Sequence, residues 1–444
     1  MVYGETIISN SDPLNRLIRH QFYTRHKLDL MMESYPFELD NFEVSKYYFP
    51  NRDIIIRYAP VLKYGDPSEV ISGTWVGGSI AKDLSFLIEP TIVSQNHSKE
   101  LLGIDYSRMG ISGRFTNAFL RYTSDNIIAQ FGRSPVWWGQ SWNSSLVHSK
   151  YAFPIDHISL RLTKGSFLIE ILTGQLSSWP QDNAERFRRN ISGHRLVWIN
   201  KKNTLLLSFG ESVIYGGLNR PLEFYFLNPF IPFQFASLED EEGGDSRIDD
   251  NYLLFFNGRY NLAKNISLYN EIIIDDYMMD SEQREDYPNA YCYLMGIDGA
   301  KNLFGRKFIF SLEFIKASMW VYTHERVYNN WQNMDFPMGF KYGPDVQSFT
   351  LNVEHWINNR LLLSVNNEYV EKGSNYILSE AIQTGTKGIP TPSEPVTYSN
   401  NISTEISYYL KKGIVSVGWL GDTHQIKIAS AYISFQFVSD IGWD

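Results

Sequence analysis

The chain has 444 residues, 43% of them apolar and 20% charged, with a formal net charge of −9. A net acidic chain with no basic stripe among its aromatics excludes a nucleic-acid partner, and a single cysteine, Cys292, excludes an internal disulfide framework or a cysteine-based zinc site. Twenty-eight Tyr, 28 Phe and 11 Trp make up 15% of the residues, yet no run approaches the roughly 18–20 apolar residues that a membrane helix requires.

The chain opens on "MVYGETIIS" without a basic or apolar leader, which reads either as a cytoplasmic protein or as a mature chain whose signal peptide is gone. Residues 11–32 carry the helix signal. Ser11 or Asp12 can cap, Pro13 fits the first turn, and Leu14, Leu17, Ile18 and Phe22 recur at helical spacing. From about Asp53 the apolar period changes to two and holds to Phe437. Ile158, Leu160 and Leu162 alternate with Ser159, Arg161 and Thr163, and after a turn at Lys164-Gly165 the apolar face resumes at Phe167, Ile169 and Ile171. Phe308, Phe310, Leu312 and Phe314 repeat the pattern, as do Leu361, Leu363 and Val365. Such strands have unlike surroundings on their two sides. Cys292, in "AYCYLMG", reads as ordinary packing.

Tight connections fall near 81–83, 123–125, 163–165, 200–203, 262–265, 357–360 and 411–413, with a slightly longer one at 300–306. Between them lie longer polar segments at 95–113, 134–156, 176–191, 213–250, 276–290, 319–346 and 372–399. The alternation predicts an all-β fold: a transmembrane antiparallel β-barrel of about 18 strands with short periplasmic turns and long extracellular loops. Residues 1–50 then form a small helical periplasmic segment and residues 51–444 the barrel. A propeller would show internal repeats, and none is visible; a soluble sandwich gives no reason for one-sided loops. Aromatics at strand ends, among them Phe209, Phe255, Phe256, Tyr408, Tyr409, Trp419, Phe435 and Phe437, fit interfacial girdles. The segment "VSDIGWD" reads as a tail beyond the last strand.

Catalytic signatures are missing: no G-x-S-x-G, H-E-x-x-H or phosphate-binding glycine loop occurs, so the chain is not expected to be an enzyme or to hold a cofactor. Asp422 and His424 in "GDTHQ" are accounted for by a turn. The acidic run at 239–250 does not match a calcium-binding loop and reads as a solvated loop, with a weak cation site as the alternative.

Three blocks carry a family likeness: "FGRSPVWWGQSWNSSLVHSKYAFPIDHISL", "SFGESVIYGGLNRPLEFYFLNPFIPF" and "DDNYLLFFNGRYNLAKNISLYNEIIIDD". In this order, across about 130–277, they resemble the Wzi family of capsule assembly proteins. The resemblance implies a barrel in the cell outer membrane with a small periplasmic helical element. It also implies a lectin-like role: binding capsular polysaccharide and organising the capsule at the cell surface, beside the capsule export machinery and outer-membrane lipid. The N-terminal helical part is short for this pattern, and "VSDIGWD" departs from barrels that end on an aromatic.

The loops 134–156 and 319–346 concentrate aromatics on the extracellular side. Trp320, Tyr322, Arg326, Tyr328, Trp331, Trp137, Trp138 and Trp142 are the candidate polysaccharide contacts, with Trp320 and Trp331 placed ahead of Trp137 and Trp138, which lie near a strand end. Aromatic faces pack on sugar C–H faces, while Asn143, Ser144, Asn329, Asn330 and Gln332 offer donors and acceptors and Arg133 or Arg326 meets acidic sugars. The alternative is that these indoles cap the barrel, packing loop on loop. The rival function is a porin-like diffusion channel for saccharides or other small solutes. Against it, the inward positions Leu168, Leu172, Ile273, Ile309, Ile315 and Leu362 point to a partly filled lumen.

Overall fold

A sheet of strands with one apolar and one polar face can pair every edge by closing on itself. The computed structural model shows that solution. It describes residues 54–443 apart from 66–68, 82, 95–102, 104–107, 142–143, 150–151, 180–185, 203, 234–249, 264, 277–288, 304–305, 359, 379–387, 411–412, 423–426 and 438. The helix expected at 11–32, and the 1–50 segment with it, lie outside the described residues, as does most of the acidic run.

In chain order the strands are β1 (Ile54–Gly65), β2 (Glu69–Ala81), β3 (Leu84–Ser94), β4 (Ile111–Thr123), β5 (Ile127–Ser134), β6 (Ile155–Lys164) and β7 (Phe167–Gln175). Next come β8 (Phe187–Ile199), β9 (Leu205–Leu218), β10 (Asn251–Ala263), β11 (Ile266–Asp276), β12 (Ala290–Leu303) and β13 (Arg306–Ala317). A small hairpin, β14 (Gln332–Asn333) with β15 (Phe336–Pro337), lies inside the long loop that follows. The wall resumes with β16 (Val346–Asn358), β17 (Leu361–Lys372), β18 (Thr397–Leu410), β19 (Gly413–Asp422), β20 (Lys427–Phe437) and β21 (Ser439–Trp443).

Each wall strand pairs antiparallel with its chain neighbour, and β1 closes the ring by pairing with both β20 and β21. Those two share one partner strand end to end, so eighteen strands form the circumference. "VSDIGWD" is therefore no tail. Its residues 439–443 are the second half of the closing strand, with Trp443 opposite Ile54. The polar and glycine residues of this stretch obscure its period.

The expected tight turns join the strands at one end. At the other end the connections are long except for two, between Gly65 and Glu69 and between Asp422 and Lys427. These two flank the closing strand, so the loops stand over the opposite wall.

Side chains sort by parity. Phe209, Ile158, Phe167, Leu196, Leu312, Phe349 and Ile406 are exposed on the outside, while Leu168, Leu172, Ile273, Ile309, Ile315 and Leu362 are buried inside. Phe255 corrects one expectation: it belongs to no girdle, because it points inward and is 2% exposed. Its neighbour Phe256 takes the outward position.

Candidate functional site

The two aromatic loops fold into the mouth of the barrel. Residues 135–149 and 318–345, with the inner faces of β6 to β17, form one buried cluster that includes Trp138, Leu146, Val147, Trp320, Tyr322, Trp331, Met338 and Phe340. A loop buried in this way must find partners for its backbone amides and carbonyls, and charged side chains on the wall provide them. Glu271 of β11 accepts from the amides of Gln140 (2.6 Å), Ser141 (3.4 Å) and Leu146 (2.9 Å). Asn257 of β10 donates to Trp138 O at 3.0 Å, and Arg259 donates to Gln140 O at 3.0 Å.

Arg189 of β8 performs the converse task for the second loop. Its guanidinium donates to the carbonyls of Tyr328, Asn330 (2.9 Å) and Gln332 (2.8 Å), and the residue is completely buried. Asp275 accepts from the Tyr322 amide, and Asp345 accepts from the amides of Asn375 and Ser393. A buried charge fully engaged in this way is a scaffold for the loop.

Aromatic packing completes the plug. Trp138 stands edge-on to His148 (4.9 Å), lies near Phe255 (5.7 Å) and receives the Arg195 guanidinium at 5.1 Å from its ring. Glycine makes room for it: a Cβ on Gly193 would come within 2.9 Å of the indole, and one on Gly210 within 2.5 Å of Phe255. Trp331 donates from Nε1 to Val147 O at 2.8 Å, tying the two loops to each other. His148 sits between the two indoles, 5.8 Å from the Trp331 ring. Burial, reinforced by the nearby Arg195 charge, pulls its pKa down to about 3.

The predicted contact residues divide accordingly. Trp138, Trp320, Tyr322 and Trp331 are 1%, 3%, 0% and 0% exposed; they build the plug and present no ring face to a ligand. The expectation that Trp320 and Trp331 lead Trp137 as ligand contacts does not match this placement, and Trp137 is only half-buried. Trp142 and Asn143 lie outside the described residues. Asn329, Asn330 and Gln332 are fully buried, with Asn330 donating to Ile377 O at 2.6 Å. The Arg133 guanidinium is held by Asp156 at 2.8 Å.

Two predicted residues remain at the surface together. Arg326 is exposed and donates to the Tyr328 hydroxyl at 3.2 Å. The Tyr328 ring is stacked on Phe187 at 4.7 Å with 5° between the planes. Phe187 is bonded through its backbone to Trp179, which is also half-buried, and Arg186 and Arg188 are exposed on either side of Phe187. The platform of Trp179, Phe187, Arg326 and Tyr328 thus joins two loops at the rim. Sequence reading missed Trp179 and Phe187 because their segment lacks the dense aromatic spacing of the other two. Among the described residues, no group of His, Cys, Asp and Glu has a metal-holding arrangement. Asp250, the described end of the acidic run, is paired with Arg220 at 2.5 Å.

A family model described as "Capsule assembly protein Wzi" matches residues 62–428. Among solved structures, the chain is similar to Wzi of Escherichia coli, an outer membrane protein involved in group 1 capsule assembly and a carbohydrate-binding β-barrel. The identity is 15%, the match covers 91% of this chain and 87% of that one, and the TM-score is 0.59. It is more distantly similar to opdK of Pseudomonas aeruginosa, at 8% identity over 89% of this chain and 100% of that one, with a TM-score of 0.47. The OccK2 (OpdF) barrel of the same organism, solved with glucuronate, gives 7% identity, 89% and 98% coverage and a TM-score of 0.47. Likenesses at that level carry no functional information. No curated protein matches the chain by sequence.

Proposed function

The chain belongs to the Wzi family of capsule assembly proteins, and from that premise we propose that it sits in the outer membrane and binds capsular polysaccharide on its outer face. The observation that carries this reading is the plug. Two loops pack an apolar core against the inner wall of β6 to β17 at the barrel mouth, and wall charges bind their backbones directly. A structure built so firmly across its own opening suits a rigid surface better than a passage.

The binding surface is the rim platform. Tyr328, Phe187 and Trp179 provide aromatic area beside the cation Arg326, a combination suited to a polymer with flat sugar faces and acidic groups. The protein holds a polymer delivered by the export machinery, without cleaving it. By analogy with aromatic pairs, one aromatic contact to a sugar is worth on the order of 1 kcal/mol. A long chain touching many copies converts such weak contacts into firm retention.

Two measurements on the purified barrel test this reading. Fluorescence titration with purified capsular polysaccharide should saturate, and planar-bilayer recordings should show no steady porin-like conductance. Conductance without polysaccharide binding would overturn it in favour of a diffusion channel.

A further inference from the structure

On β7, β8 and β9 the outer wall changes character halfway up. From the tight-turn end the outward positions are apolar: Phe167, Ile169 and Ile171 on β7, Trp198 and Leu196 on β8, and Leu205, Leu207 and Phe209 on β9. Above them the outward positions become Thr173, then His194, Ser192 and Asn190, and then Glu211, Val213 and Tyr215. The β13 sector shows no such change, with Phe308, Phe310, Leu312 and Phe314 outward. Elsewhere the outward polar positions are isolated, as at Asn270 between Leu268 and Ile272 on β11 and at Asn367 and Asn400, which bond to each other across β17 and β18. A barrel strand needs about 9–11 residues to cross a bilayer. Counted from Leu205, the polar patch falls inside that length.

Yet the patch is buried. Glu211 is 6% exposed, Val213 and Tyr215 are 0%, and Thr173, Asn190 and Ser192 are also covered. The cover is the start of the β9–β10 loop, residues 219–233, which folds down over the outside of the wall. Its 3-10 turn, Phe224–Leu227, lies against β7 and β8. Phe226 and Phe233 pack with Val213 and Tyr215 in a small core separate from the plug. Polar contacts fix it at several points. Glu211 accepts from the Phe233 amide (3.0 Å) and from His194 (2.9 Å), Asn190 donates to Pro221 O (3.3 Å), and the Tyr215 hydroxyl accepts from the Glu223 amide (3.3 Å). Arg220 anchors the root between Glu223 (2.9 Å) and Asp250 (2.5 Å).

The outer side of this flap carries Phe224 and Phe230, 82% and 81% exposed, with Leu222 beside them at 38%. Aromatic side chains so exposed on a loop so firmly held call for an apolar partner. We propose that the flap restores the membrane belt where the strands abandon it: Leu222, Phe224 and Phe230 face the acyl chains of the outer leaflet, and the covered polar groups never meet lipid. The continuity of Phe209 and Leu196 below the flap with Phe224 and Phe230 on it selects lipid over a second copy of the chain. This inference rests on the outer-membrane reading above.

The test attaches an environment-sensitive fluorophore to Phe224→Cys and Phe230→Cys in the full chain, reconstituted in phosphatidylcholine vesicles with and without acyl-chain spin-labelled lipid. The native Cys292 is completely buried and should not react. Leu254→Cys, outward on β10, reports the belt, and Glu325→Cys, on an exposed loop, reports water. Blue-shifted emission and quenching at 224 and 230 comparable with those at 254 are expected. Emission and quenching like those at 325, with 254 quenched, would overturn the flap proposal alone. Concentration-dependent energy transfer between copies labelled at 224, without lipid quenching, would overturn it in favour of a second copy. A water-like signal at 254 as well would defeat the membrane reading itself.

Discussion

Single residues divide here by what their polar atoms already hold. Trp331 has its indole N–H on Val147 O and no exposed surface, so Trp331→Ala should cost about 3–5 kcal/mol. Trp331→Phe, which keeps one aromatic ring but leaves Val147 O unpaired, should cost less, about 1–3 kcal/mol. Loss of the near-UV circular dichroism transition at lower temperature would register both, in that order. Tyr328→Ala should leave that transition nearly in place. His148 gives a pH signature. It stays neutral in the folded plug down to about pH 3, whereas its ordinary value is 6.5. The unfolded chain therefore takes up the proton first, and stability present above about pH 6.5 is lost as the pH falls toward 3. The slope approaches 1.4 kcal/mol per pH unit. His148→Asn should flatten this dependence; an equally steep acid transition in that variant would assign it elsewhere. Loop-on-loop packing of Trp138 and Trp331 was one of the two readings that the sequence offered, and it is the one their burial matches; the sequence itself did not decide between them. A loop indole reads the same whether it folds inward or outward, and the difference lies in Glu271 and Arg189, whose strands are distant in sequence.

At the scale of elements, the strands were legible and the fate of the loops was not. Period-two runs such as Ile158–Leu162 and Phe308–Phe314 each define two faces, and the tight turns after Lys164 and before Arg306 fix their antiparallel neighbours. The outward polar positions on β7 to β9 went unread in the sequence, because the residues 219–233 that cover them lie in a segment read as a long polar loop. Phe255 was misread because "FF" at 255–256 offers two candidates for one outward position. The 318–345 loop stands on Arg189, so Arg189→Met should release it: each carbonyl left unpaired in the buried mouth costs about 1–3 kcal/mol. Limited proteolysis should then cut near the exposed Glu325-Arg326 pair, and bilayer recordings should show intermittent conductance absent from the parent. A variant as resistant and as silent as the parent would mean that the loop is held by the apolar core alone.

For the whole molecule, closure of eighteen strands, an apolar outside and a plugged mouth describe a surface-displaying barrel, and the outside can be tested separately from the function. Phe310 faces outward, so Phe310→Arg should cost roughly 2–4 kcal/mol if it lies near the bilayer midplane and should lower folding yield into liposomes. Ser364, in register with Glu354 and Glu405, should accept arginine with little loss, since an acid stands on each neighbouring strand. Equal tolerance at the two positions would point to a soluble fold. The family likeness was legible from three blocks in order, whereas the rim platform needed the loops in place, because Phe187 and Tyr328 come from segments 141 residues apart in sequence. The central claim is that this platform holds capsular polysaccharide at the cell surface. The direct measurement is cell-bound against released capsule in cells carrying the Arg326→Ala, Tyr328→Ala double variant, with heat-modifiable barrel folding checked in the same cells. The account predicts a shift of capsule into the medium with the barrel folded normally; capsule retained at the parental level by a normally folded double variant would contradict it.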